Sequence, residues 1–144
     1  PKLRPYFDGI RKELILFSPY FVPGEEGTAF LSDLSKRGVR VRILTNSLAS
    51  NDVVAAHGGY ATGRKQLIEN GAEIYELRPD AVSGTVKEKS LIIGGKSKAA
   101  LHTKAIVFDR ESVFVGSYNL DPRAAEINTE MGLYVESPEL ASQP

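Results

Sequence analysis

The 144 residues make up about one domain's worth of chain, and with 42% hydrophobic and 25% charged residues they belong with globular rather than disordered sequences. Eighteen basic side chains balance eighteen acidic ones, so no global field draws in nucleic acid or an anionic membrane, and any such attraction has to be local. The absence of cysteine excludes disulfides and thiolate metal sites and fits a reducing compartment; no apolar run approaches the roughly 20 residues that span a bilayer, and there is no signal-peptide pattern.

The chain starts at Pro1 rather than at an initiator Met and enters a helical pattern almost at once, which predicts an excerpt of a longer protein. Leu3, Tyr6, Phe7, Ile10 and Leu14 are spaced along one helical face, which gives way to a buried-type strand from Glu13 to Ser18. The prolines and glycines of SPYFVPGEEG punctuate a loop, and Thr28 is the expected cap of a helix carrying Phe30, Leu31 and Leu34, closed by Gly38. A strand from Val39 to Thr45 follows. After a polar connection, Asn46 to Asp52, a second helical region carries Leu67 and Ile68, is stopped by Gly71 and leads into a strand from Ala72 to Leu77. LSKRGVRVRIL and LIENGAEIYEL thus repeat one device, a glycine-closed helix followed by a strand, as βαβ units with right-handed crossovers do.

From Pro79 to Ala100 the pattern dissolves, predicting a flexible loop within the domain, with Lys87, Lys89, Lys96 and Lys98 around a short apolar LII. Leu101 to Phe108 and Ser112 to Asn119 read as two strands of a hairpin turned by Asp109-Arg110-Glu111-Ser112. Asp121-Pro122 start a short helix, with the aspartate as cap. In the last strand, Asn128 to Val135, the alternation puts Thr129, Met131, Leu133 and Val135 toward the core and Glu130 the other way. The expected fold is α/β: one domain over residues 1–144, with a mixed, mostly parallel sheet, helices on both faces and a C-terminal antiparallel hairpin.

Chemistry concentrates in LHTKAIVFDRESVFVGSYN, residues 101–119. Alternation puts His102, Lys104, Ile106 and Phe108 on one face, and a turn centred between Arg110 and Glu111 sets His102 opposite Asn119 and Lys104 opposite Ser117. An imidazole, an ammonium, a hydroxyl and a carboxamide on one patch suit a phosphate ester, the last three holding non-bridging oxygens while the histidine attacks phosphorus or carries a proton. The competing reading is an exposed strand face with ordinary polar residues.

The run HTK, four residues, Asp109, six residues, GSYN is similar to the HxK(x)4D(x)6GSxN signature of the phospholipase D superfamily, with every fixed position filled. The resemblance extends through SPYFVPG, VRVRILTNSLASND, HGGYATGRKQLIENGAEIYELRP and NLDPRAAEINTE to the second half of cardiolipin synthase-like bacterial enzymes. One departure is Ala124, where family proteins usually have serine. The resemblance implies that His102 is the catalytic histidine, Lys104 a phosphate ligand, and Ser117 and Asn119 the rest of the phosphate cradle. Glu130 matches the carboxylate that bonds the far nitrogen of the histidine and fixes its tautomer. Asp109 is read as structural, an aspartate bonding its own turn, and Asp121 as a cap. His57 and Tyr60 are candidates for substrate contact, against a plain glycine turn at Gly58-Gly59, and the Tyr20-Phe21 pair is read as core.

The same resemblance implies ping-pong chemistry through a phosphohistidine, with water or a second lipid such as phosphatidylglycerol as acceptor. No cofactor or metal is expected. The signature occurs once, so the chain supplies half of a site whose other half comes from the parent protein or from a second subunit. A glycerophospholipid substrate and a parent protein peripheral to the cytoplasmic side of the inner membrane follow as expectations. The alternatives are a homodimeric phosphodiesterase or nuclease of the same superfamily, disfavoured by the neutral charge, and a non-catalytic half that binds phosphate or membrane.

Overall fold

The computed structural model describes residues 4–47, 54–78, 100–117 and 131–144. In chain order these form α1 (Arg4–Asp8), β1 (Glu13–Phe17), α2 (Gly24–Lys36), β2 (Arg40–Asn46), α3 (Val54–Glu69), β3 (Glu73–Leu77), β4 (Ala105–Phe108), β5 (Ser112–Gly116), β6 (Gly132–Glu136) and α4 (Pro138–Ala141). The strands make one sheet in the order β3-β2-β1-β4-β5-β6. Residues 79–99 of the expected 79–100 loop and the short helix at Asp121-Pro122 lie outside the described residues.

The repeated glycine device is built the same way twice. Gly38 and Gly71 take φ of +89° and +94°, a conformation that costs glycine little. Around them, Gly38 N–H bonds Ser35 O and Val39 N–H bonds Leu34 O; Gly71 N–H bonds Ile68 O and Ala72 N–H bonds Leu67 O. Both helices therefore end in a Schellman motif that turns the chain straight into a strand. The products, β2 and β3, run parallel to β1.

The other pairings, β1–β4, β4–β5 and β5–β6, are antiparallel, so the sheet is mixed but less parallel than expected. The reason is topological: β4 re-enters the sheet beside β1 instead of extending it past β3, which puts the hairpin in the middle of the sheet.

Alternation in β1, β2 and β4 sends Leu14, Leu16, Val41, Ile43, Ile106 and Phe108 to one face, where Leu31 and Leu34 of α2 and Tyr60 and Leu67 of α3 cover them. Phe21 is buried in that core, and Phe7 of α1 closes it edge-on against Phe30 and Phe108. Burying each such leucine or phenylalanine contributes roughly 1.5–3 kcal/mol. On the opposite face Ile15, Val107 and Val113 pack with Ala141 of α4. Helix α4 was not anticipated from the sequence, although Ser137-Pro138-Glu139 is a cap-proline-acid start and Ser137 Oγ accepts from Leu140 N–H at 3.3 Å.

Three expectations about individual elements need correction. Thr28 is buried within α2, which starts earlier, at Gly24, where Glu25 and Glu26 suit the positive end of the helix dipole. α3 runs through His57, Gly58 and Gly59, so no turn breaks it there. Met131 and Leu133 share a face as expected, but they are 79% and 66% exposed. Their partner strand β5 turns Val115 to the same open side, and it is Tyr134 that packs on the main core.

The hairpin is also one residue out of the expected register. Ala105 pairs with Val115 and Phe108 with Ser112, leaving a three-residue turn, Asp109 to Glu111, in which Asp109 and Arg110 take φ of +52° and +60°. Asp109 does not bond its own turn. Its carboxylate accepts backbone N–H groups from Arg11, Lys12 and Glu13 at 2.9, 2.7 and 2.8 Å, tying the hairpin tip to the start of β1. Glu13, its side chain 12% exposed, sits among Arg42 at 2.7 Å, Arg110 at 2.5 Å and Arg40 at 3.9 Å. These anchors leave the other end of the sheet for the site.

Candidate active site

β1 and β2 end at one edge of the sheet, and since β4 is antiparallel to β1, its start lies at the same edge, with Ala105 opposite Phe17. β5 ends there too. Strand order reverses direction at β1, with β2 on one side and β4 on the other, and crevices at such reversals at the carboxyl ends of strands are where open α/β sheets bind ligands.

Residues 100–104 have no regular secondary structure, so His102 and Lys104 stand just ahead of β4 instead of within it. His102 is exposed and Lys104 half-buried, and Lys104 Nζ donates to His102 O at 3.2 Å. The two segments of the motif are closed together by Gly116 N–H, which donates to Lys104 O at 3.1 Å. Lys104 thus faces Gly116, not Ser117 as the expected register had it.

Ser117 turns to the other neighbour. Its N–H donates to Met131 O at 2.9 Å, and its Oγ lies 3.1 Å from Met131 N and 3.3 Å from Met131 O. Glycine at 116 is required by this closeness: a Cβ there would meet Met131 O at 2.6 Å and Gly132 Cα at 2.9 Å. Asn119, Asp121 and Glu130 lie outside the described residues, as does the side chain of His57.

Tyr60 is in the core, 4% exposed, rather than on an open surface. Its hydroxyl donates to Glu76 Oε1 at 2.7 Å, Arg64 NH1 lies 3.0 Å from the same oxygen, and the Arg64 guanidinium sits 5.7 Å from the Tyr60 ring centre. Burial first, then the Glu76 hydrogen bond, push the Tyr60 phenol well above its usual value.

One residue at this edge was not evident from the sequence. Asn46, the last residue of β2, is 6% exposed and bonds the backbone of Leu101, 55 residues further on. No spacing rule links such positions; the only hint was a polar residue directly after an apolar alternation. Among the described residues no group of three or more His, Asp or Glu side chains could hold a metal ion, and no helix is long and apolar enough to cross a membrane.

A family model described as "Cardiolipin synthase, PLD-like domain" matches residues 6–144. Cardiolipin synthase C of Escherichia coli (strain K12) is 47% identical over 127 residues, which cover 88% of this chain and 26% of that protein. The chain therefore spans about a quarter of the length of the curated relatives it matches. Among solved structures, Nuc, a phospholipase D family member from Salmonella typhimurium, is similar with a TM-score of 0.69 at 18% identity, covering 97% of this chain and 77% of that one. Phosphatidylserine synthase of Haemophilus influenzae Rd KW20 has a TM-score of 0.66 at 19% identity, over 95% of this chain and 31% of that one. At these identities the two structures speak for the fold.

Proposed function

The chain belongs to the cardiolipin synthase family of phospholipase D-like domains, and from that premise we propose that it supplies one catalytic half of a phosphatidyltransferase acting on glycerophospholipids. The observation that carries the reading is the Gly116–Lys104 hydrogen bond, which holds Lys104 of the HTK run beside Gly116 at the carboxyl edge of β1 and β2. On this reading the Lys104 ammonium, His102 and the Ser117 hydroxyl serve one phosphate at the edge where sheets of this kind hold their ligands.

In the proposed reaction a histidine of the paired site, His102 or its counterpart in the other half, attacks phosphorus. The P–O bond to the leaving alcohol breaks, and the second histidine protonates the departing alkoxide. In the return step that second histidine takes the proton from an acceptor hydroxyl, whose oxygen attacks phosphorus and frees the first. With phosphatidylglycerol as both donor and acceptor, the products are cardiolipin and glycerol. Lys104, Ser117 and Asn119 are assigned to the non-bridging oxygens, and Glu130 to the far nitrogen of His102. The second half of the site, a membrane surface and a parent protein at the inner membrane are parts of the same proposal.

The test is to offer the intact protein phosphatidylglycerol vesicles and single-stranded DNA in parallel. Release of glycerol with formation of cardiolipin is expected, and DNA is expected to stay intact. Cleavage of DNA without lipid turnover would replace this reading by a phosphodiesterase acting on nucleic acid.

A further inference from the structure

We propose that Asn46 is a positioning residue for His102, an inference that rests on the reading of His102 as a reacting group. Asn46 closes β2 at the site edge and is buried. Its Oδ1 accepts from Leu101 N–H at 2.7 Å, and its Nδ2 donates to Leu101 O at 3.1 Å and to Pro19 O at 3.4 Å. A carboxamide that both accepts from and donates to one residue's backbone does what a neighbouring strand would do.

This stand-in matters because the ladder stops short. The last pair between β1 and β4 is Phe17 with Ala105, and residues 101–104 continue beyond it without regular structure. Asn46 fixes this stretch at Leu101, the residue bonded directly to His102, while Gly116 fixes it at Lys104. The histidine is thus held between two backbone anchors, and the bond to Pro19 ties the first of them to the loop that follows β1. Reacting groups displaced by about 1 Å can lose roughly 100-fold in rate, so an anchor next to the histidine acts on turnover rather than on substrate affinity.

The residue type is also specified. Aspartate at position 46 could not donate, and would set a buried charge against the carbonyls of Leu101 and Pro19. Alanine would leave the N–H and the carbonyl of Leu101 without this partner. Glutamine keeps both polar atoms but carries them one methylene further out.

The experiment uses the intact protein and a soluble phosphodiester, bis(4-nitrophenyl) phosphate, with amide hydrogen exchange at Leu101 as a second readout. Asn46→Ala and Asn46→Asp are expected to lower kcat by about tenfold or more with KM changed less than about threefold, and to speed Leu101 exchange; Asn46→Gln is expected to recover part of the loss. Val39→Ala, in the core just ahead of the far end of β2, serves as the control for lost stability and should leave kcat of the folded enzyme unchanged. If Asn46→Ala does not fold, Asn46→Ser and Asn46→Gln report the same quantities. A kcat within about twofold of the parent for folded Asn46→Ala, Asn46→Asp or Asn46→Ser overturns the proposal, as does an equal loss in Val39→Ala. His102→Ala is run alongside: full turnover there would remove the reading of the histidine itself, whereas a dead His102→Ala beside a fully active Asn46→Ala would remove only the role of Asn46.

Discussion

The Asp109 carboxylate lies 2.7 Å from the backbone nitrogen of Lys12, 97 residues away in sequence, and the same carboxylate takes the N–H groups on either side. The aspartate of the signature is therefore bonded at the end of the sheet opposite His102, where it joins the β4–β5 hairpin to β1. Asp109→Ala should cost about 1.5–3 kcal/mol of unfolding free energy, since three backbone donors lose a charged acceptor. An asparagine side chain tolerates the positive φ and keeps one acceptor, so Asp109→Asn should cost less. Denaturant unfolding checks both, and turnover per folded molecule should stay within about threefold of the parent, because the carboxylate is remote from the reacting groups.

Glu13 holds the same end together electrostatically. With Arg42 and Arg110 within 2.7 Å of its carboxylate and little solvent around it, Glu13→Gln leaves guanidinium groups facing a neutral amide. The expected loss is about 2 kcal/mol, below the cost of breaking a fully buried pair because Arg110 is partly exposed. A double-mutant cycle of Glu13→Gln with Arg110→Gln measures the coupling; additivity would contradict the assignment.

Tyr60 makes stability depend on alkaline pH. Its phenol is raised above the ordinary 10.0 by burial and by the bond to Glu76. A group whose folded pKa is raised contributes stability that is full below its unfolded pKa and is lost as pH climbs toward the folded one. Stability should therefore fall from about pH 10 upward in the parent and more shallowly in Tyr60→Phe, as followed by thermal unfolding across that window.

Gly116→Ala tests the closeness of β5 and β6. The added Cβ would sit 2.6 Å from Met131 O, so β6 or the Gly116-Ser117 backbone has to move. Expected are a loss of about 1–3 kcal/mol and a fall in turnover beyond what the unfolded fraction explains. Unchanged turnover in the folded variant would contradict the tight geometry.

How much of this was legible in the sequence follows from which interactions are local. Gly38 and Gly71 announced their Schellman ends because cap, glycine and strand are neighbours in sequence. The alternation of β4 put Ile106 and Phe108 on one face and Val107 on the other, as expected. The hairpin register was missed by one residue because composition does not distinguish a three-residue turn with Asp109 and Arg110 in left-handed conformations from the four-residue turn that was expected. That slip moved Lys104 from Ser117 to Gly116. Met131 and Leu133 read as core residues because a strand's period shows which residues share a face, not which face is covered. Asn46 and Leu101 meet only in three dimensions, so no local pattern could pair them. The motif itself was legible because it is a fixed spacing of chemically distinctive residues, while Asn119 and Glu130 keep the standing that resemblance gives them.

The measurement that tests the central claim most directly is turnover of phosphatidylglycerol by the intact protein carrying His102→Ala. The predicted result is a loss of at least about 100-fold in kcat at unchanged folding, the lower end of what a reacting histidine contributes. Cardiolipin formation at the parent rate by a folded His102→Ala protein would contradict it.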